Sequence, residues 1–203
     1  MDKHQIRTDL LKQAIALQIP VLQGEALQIL SDQIKANHVS TFLEIGSANA
    51  KTAIELALDH PDLKIVTIER DPAMAALARE NIARANLEER IRLIEADALD
   101  VNLNDLKADA IFIDGAKSKY NQFFQAYLPH LSPDGFFFID NLDFHGLVDH
   151  PERTHNRHTK ALIKKIREFR TFLLESEDLE TEWIEAGDGI ALTRRKHQCL
   201  VYY

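Results

Sequence analysis

Five short apolar runs separated by segments of helical length constrain this chain most. They are residues 41–46 (TFLEIG), 64–69 (KIVTIE), 91–95 (IRLIE), 109–114 (DAIFID) and 135–140 (GFFFID). Each is mostly apolar on both faces, as expected of a parallel strand covered on both sides. Parallel neighbours need crossover connections, and the intervening segments supply them. Asp71-Pro72 is a cap followed by proline at the first helical position, and it opens a helix over 73–85. Ser118 is placed to cap a helix reaching Tyr127. Between Asn156 and about Glu175, Leu162, Ile166, Phe169 and Leu173 form one apolar stripe. Residues 5–17 and 25–36 predict two helices ahead of the first strand. Gly187-Asp188-Gly189 joins 179–186 to 190–195 and predicts an antiparallel hairpin. The fold class is therefore α/β, a doubly wound open sheet with ligands at the carboxyl ends of its strands.

The chain has 203 residues, enough for one full-sized domain with a real core. Its one cysteine, Cys199, excludes an intramolecular disulfide and a Zn–Cys cluster. No apolar run approaches the roughly 18 residues of a membrane span. The opening residues MDKHQIRTDLLKQ lack a signal peptide's apolar stretch, so the expectation is a cytoplasmic protein.

Acidic or amide groups stand at four strand ends: Glu69, Asp97, Asp114 and the pair Asp140-Asn141. Each alone is open to a bland reading as a cap or a turn. Together they mark one edge of the sheet. Gly46 ends the first run, where it lets the backbone turn tightly and approach a ligand. Glu69 follows it by 23 positions, near the spacing at which an acid accepts ribose hydroxyls. That pairing points to a cofactor containing adenosine, although Ala50 stands where a second glycine is expected. Asp114, Asp140 and Asn141 offer hard oxygen donors suited to Mg²⁺ or Ca²⁺. The alternative is that Asp140-Asn141 only turns the chain. Lys117, three residues past Asp114, is either a proton acceptor in the same cleft or a solvated surface lysine. His145, His150, His155 and His158 lack an HExxH arrangement and read as solvated or substrate-facing rather than as zinc ligands.

The net charge of −8 argues against a broadly basic nucleic-acid binder. It is unevenly spread. Residues 151–170 hold seven Lys/Arg and two Glu, a local +5 against −13 elsewhere. Lys160, Lys164 and Arg167 lie opposite the apolar stripe. They form either a solvated helix face or a docking patch for phosphates.

The ordered set LEIGSANAKTA, IERD, EADAL, FIDGAKSKY, FIDN and GDGIAL resembles the S-adenosylmethionine-dependent O-methyltransferases of the catechol and caffeoyl-CoA type. Within that family, IDNLDFHGLV with the following basic helix is most similar to the bacterial tRNA 5-hydroxyuridine methyltransferases. The resemblance implies a Rossmann-like seven-stranded sheet with its last strand pair reversed, in one domain over 1–203. Residues 1–38 would form a helical cap, of which 19–30 (IPVLQGEALQIL) close over the ligands. It implies that Glu44, Gly46 and Thr52 line the methionine end of the cofactor, that Glu69 holds the ribose, and that Asp97 and Ala98 border the adenine. Asp114 would serve both cofactor and catalysis, and Asp114, Asp140 and Asn141 would hold Mg²⁺. Lys117 matches the family's catalytic base. The partner would be a tRNA anticodon stem-loop, docked by Arg153, Arg157, Lys160, Lys164 and Arg167, and the enzyme would be a homodimer. A small catechol-like substrate is the alternative, and a non-catalytic cofactor-binding module is a further one. Ala50 departs from the family's glycine, and alanine is tolerated there if the local φ is negative.

Overall fold

The computed structural model describes residues 2–22 and 24–196; Cys199 lies outside them. The chain runs α1 (Lys3–Ala16), α2 (Gly24–Ala36), β1 (Thr41–Ile45), α3 (Lys51–Asp59), β2 (Lys64–Glu69), α4 (Pro72–Arg84), β3 (Ile91–Glu95) and β4 (Ala108–Ile113). It continues through a 3-10 turn (Lys117–Lys119), α5 (Tyr120–Tyr127), β5 (Leu131–Ile139), α6 (Arg157–Glu175), β6 (Leu179–Ile184) and β7 (Ile190–Arg195).

Seven strands form one sheet in the order β3-β2-β1-β4-β5-β7-β6. The first five are mutually parallel, and β7 runs antiparallel to both β5 and β6. The expected doubly wound sheet with a reversed terminal hairpin is thus present. Alternation along each central strand feeds two cores. Phe42, Phe112, Phe136 and Phe138 face one core with α1 to α4. Leu43, Ile111, Ile113, Phe137 and Ile139 face the other with α5 and α6. Phe124 of α5 packs on Phe137 in a tilted pair with ring centroids 4.5 Å apart, which seats α5 on that face.

Local signals account for several helix starts. The Asp71 carboxylate accepts hydrogen bonds from the N–H groups of Ala73 and Met74, and Pro72 follows it. Asn156 caps α6 in the same way through His158 and Thr159. On α6 the buried face is Ile163, Ile166, Phe169 and Leu173. Leu162, expected in that stripe, is only half-buried.

Two expectations are corrected here. Ser118 does not cap α5; it lies inside the 3-10 turn that precedes the helix, and Ala116 occupies the position before that turn. Strand β5 begins at Leu131, ahead of the expected Gly135, because the polar Ser132-Pro133-Asp134 is extended backbone as well.

Candidate active site

Strand register builds the site. Ile45 pairs with Ile68 on one side and Ile113 on the other, and Ile113 pairs with Ile139. The next residues, Gly46, Glu69, Asp114 and Asp140, therefore emerge at one level of the sheet edge. Glu69 pairs with Glu95, which puts Ala96 and Asp97 just past the same edge.

A cleft of about 300 Å³ opens there. Of the strand-end groups, Glu69, Asp97, Asp114 and Asn141 line it together with Gly46, Ala98 and Lys117, whereas Asp140, 6% exposed, is not on its wall. Pro20 of the 19–30 segment closes one side, and Arg70, Lys119 and Phe123 complete parts of the wall. Glu44 and Thr52 are corrected: neither is on the cleft wall. Glu44 is 1% exposed beneath the β1–α3 loop, and Thr52 is buried in the first turn of α3. Glu44 Oε2 accepts from Thr67 Oγ1 at 2.6 Å, and Thr67 meets Ser47 Oγ at 2.5 Å. Burial pushes the Glu44 carboxyl up to about 8; Thr67 works against that rise, and the charges of Asp114 and Glu69 add to it.

The β1–α3 loop turns through left-handed backbone three times. Gly46 has φ +97, and a Cβ there would lie 2.7 Å from the Asp114 carbonyl oxygen, so only glycine fits. Ala48 and Ala50 have φ +46 and +61. The condition under which alanine is tolerated at position 50, a negative φ, is therefore not met, and each alanine carries roughly 1–2 kcal/mol of backbone strain. Neighbours hold the loop in place. Ala48 N–H donates to Glu69 Oε2 at 2.9 Å, while Asp71 N–H donates to Glu69 Oε1 at 2.8 Å. Asn49 and Lys51, an unusual pair in such a loop, are both buried. Asn49 Nδ2 donates to Leu10 O and Gln13 Oε1, and Asn81 Nδ2 donates to Asn49 O. Lys51 pairs with Glu55 at 3.0 Å and donates to Leu22 O at 3.3 Å. The loop is thus tied to α1, to α4 and to the 19–30 segment.

At the β4–β5 end, Asp114 and Asp140 stand close enough to oppose each other's charge. Burial, then the Asp140 charge, pushes the Asp114 carboxyl up to about 7, with Lys117 pulling it down. Burial likewise raises Asp140, against its hydrogen bond from Asn141 N–H and the Lys117 charge. Asn141 sits at φ +62, a region asparagine tolerates. Its Oδ1 accepts from Lys117 Nζ at 2.5 Å. Two buried carboxylates beside an amide oxygen, with Lys117 as their nearby positive charge, are a donor set of hard oxygens that fits a divalent cation. Among the described residues no three His, Cys, Asp or Glu side chains gather as a metal site, so a cation here would rest on those two acids and the amide.

At the β3 end, Asp97 Oδ1 accepts from Leu99 N–H at 3.0 Å and Oδ2 from Lys119 Nζ at 3.2 Å. Those partners, Leu99 first, hold its carboxyl below the usual range. Sequence reasoning passed over Lys119 and Arg70; the only signal for Lys119 was its place two residues after Lys117.

The basic helix lies beside this site. α6 packs against the 3-10 turn that carries Lys117, and Phe169 meets Tyr120 with centroids 6.0 Å apart. Arg153, Arg157, Lys160, Lys164 and Arg167 are all exposed. Pro151 and Ile163 lie in a groove with Lys160, Lys164 and Arg167. Lys164 faces Glu168 at 3.8 Å. Arg153, Arg157 and Lys160 make no ion pair within 4 Å among the described residues. Arg167 is corrected in part: its guanidinium donates to the Val148 carbonyl and grips the loop after β5. Arg170 grips the same loop through Asp143 and Asp149 at 3.3 and 3.2 Å.

A family profile described as O-methyltransferase matches residues 3–196. Tapetum-specific methyltransferase 1 of Arabidopsis thaliana is 30% identical over 183 residues, spanning 87% of this chain and 77% of that protein. Catechol O-methyltransferase of Niastella koreensis is 28% identical over 188 residues, spanning 87% and 81%. A crystal structure from Staphylococcus aureus, named provisionally as a caffeoyl-CoA O-methyltransferase, superposes with a TM-score of 0.89 at 30% identity. That alignment covers 94% of this chain and 92% of the other.

Proposed function

This chain belongs to the O-methyltransferase family, and from that premise we propose that it moves the methyl group of S-adenosylmethionine to the 5-hydroxyl of 5-hydroxyuridine at the tRNA wobble position, giving 5-methoxyuridine. The observation that carries the RNA substrate is α6: a helix with exposed Arg157, Lys160 and Lys164, packed against the turn that bears Lys117. A free catechol needs no phosphate docking, whereas an anticodon stem-loop does.

In this reading Gly46 lets the backbone approach the methionine portion, Glu69 accepts the ribose hydroxyls, and Asp97 with Ala98 borders the adenine. Glu44 and Thr52 act from behind the wall, Glu44 by bracing Thr67 and Ser47 under the loop. When bound, S-adenosylmethionine would supply a methyl on a sulfonium, and Mg²⁺ would supply positive charge that favours the ionised form of the substrate hydroxyl. Asp114, Asp140 and Asn141 would hold that ion. Lys117 Nζ, poised beside Asn141, takes the proton of the substrate hydroxyl as its oxygen bonds to the methyl carbon and the carbon–sulfur bond breaks. Holding oxygen, carbon and sulfur in line is the protein's largest task, worth several of the roughly 7–11 kcal/mol available to proximity.

The reading also takes residues 1–203 as one methyltransferase domain with 1–38 as its helical cap, acting as a homodimer in the cytoplasm. Leu11, Ile15 and Leu17, exposed by 37%, 67% and 54% on and beside α1, offer apolar surface to a second copy. No helix among the described residues is long and apolar enough to cross a membrane.

A second reading, methylation of a small catechol-like molecule, is favoured by the relative named catechol O-methyltransferase. One assay separates them. Full-length protein with Mg²⁺ and S-adenosylmethionine is given 5-hydroxyuridine-bearing tRNA or a catechol, and the products are weighed. The expected product is 5-methoxyuridine; methylated catechol beside untouched tRNA supports the second reading. Calorimetry with S-adenosylmethionine, showing binding but no turnover of either substrate, would point to a non-catalytic module.

A further inference from the structure

The 3-10 turn Lys117–Lys119 carries two ammonium groups that reach opposite ends of the cleft. Lys117 Nζ meets Asn141, just past β5, at 2.5 Å. Lys119 Nζ meets Asp97, just past β3, at 3.2 Å. Strands β2, β1 and β4 lie between those two in the sheet, so a three-residue turn spans the site from side to side. The next residue adds a third tie: the buried Tyr120 hydroxyl donates to the Asp140 carbonyl at 3.0 Å. A backbone bond from Lys119 N–H to Ala116 O at 2.7 Å closes the turn, so neither lysine's backbone is free to shift without the other.

Lys119 is not a freely solvated surface lysine. Its side chain is 31% exposed, its partner Asp97 is 30% exposed, and both line the cleft wall. Asp97 is held on its other oxygen by Leu99 N–H, which fixes where the lysine must end.

We propose that Lys119 is a positioning residue: it anchors the turn to Asp97 at the cofactor end and thereby sets the place of Lys117 at the reaction end. This rests on the functional reading above for the roles of the two ends. Adenine binding at Asp97 and proton removal at Lys117 then share one bracket, and loss of the anchor is felt at both.

The test uses Lys119→Gln and Lys119→Arg in the full chain, with two readouts. The first needs neither substrate nor cofactor: the rate at which acetic anhydride labels Lys117, followed by mass spectrometry. The Gln variant is expected to label about threefold or more faster than wild type, and the Arg variant to return to within twofold. The second is the calorimetric affinity for S-adenosylhomocysteine, expected to weaken about threefold to fivefold in the Gln variant, the scale of a half-exposed ion pair. Unchanged Lys117 labelling in Lys119→Gln, or equal effects of Gln and Arg, overturns the bracket. Failure of wild type to bind S-adenosylhomocysteine overturns the functional reading instead, and the labelling rates still decide the anchor.

Discussion

Glu44 is a buried carboxyl with one hydroxyl partner, and its proton is part of the fold. An ordinary glutamate titrates near 4.5, and burial lifts this one to about 8. The folded state therefore holds a proton that the unfolded state releases across that window. The stability tied to this group is fully present below about pH 4.5 and is lost as pH rises through about 8. The slope reaches ~1.4 kcal/mol per pH unit for one proton. Glu44→Gln keeps the shape without the titration, so thermal melts between pH 5 and 8 should fall less steeply than those of wild type. An unchanged slope would assign the pH dependence to the other carboxyls that burial raises, Asp114, Asp140 and Asp143. Gly46 fails differently. A methyl group there meets the Asp114 carbonyl oxygen at 2.7 Å, at a φ that alanine avoids. Gly46→Ala should lower stability by about 2–3 kcal/mol in denaturant titrations and weaken S-adenosylhomocysteine binding.

Elements show what the sequence announces and what it conceals. Strands β2, β3 and β7 have the bounds their apolar runs predict, because each ends at a charged residue. Helix α3 is harder to read. Residues 51–58 are all buried, Lys51 and Glu55 included, so no polar face marks its period. The strand-end acids were legible because several of them recur at the carboxyl ends of successive apolar runs, although each alone could be a cap or a turn. Glu44 was misplaced for the opposite reason: inside a strand, only register decides which face a side chain takes. The left-handed backbone of Ala50 could not be read, because φ leaves no trace in residue type unless glycine marks it. On α6 the charges were visible, but Arg167's bond to the Val148 carbonyl depends on a loop 19 positions away. A fair test of RNA docking therefore spares Arg167. Neutralising Arg153, Arg157 and Lys160 together should reduce the slope of log affinity for tRNA against log salt by about 2 to 3. A slope that does not move would remove this face from the RNA site.

The molecule as a whole places one cleft at the carboxyl edge of a parallel sheet and divides it between two ends. Glu69 and Asp97 sit at one, and Asp114, Lys117 and Asn141 at the other. Each sheet neighbour supplies one chemical group, which is why strand order, invisible to local sequence pattern, decides what meets what. The −8 chain places a +5 segment beside that cleft, so its average charge conceals the feature most relevant to an RNA partner. Homodimerisation through α1 would show as twice the chain mass in light scattering, reduced by charging Ile15. The most direct check on the division of the cleft is Lys117→Met, read in two ways on the same preparation. Turnover at saturating cofactor should fall about 100-fold or more, with S-adenosylhomocysteine affinity within twofold of wild type. Full turnover in Lys117→Met would contradict the assignment of Lys117, and with it the placement of the reaction at this end of the cleft.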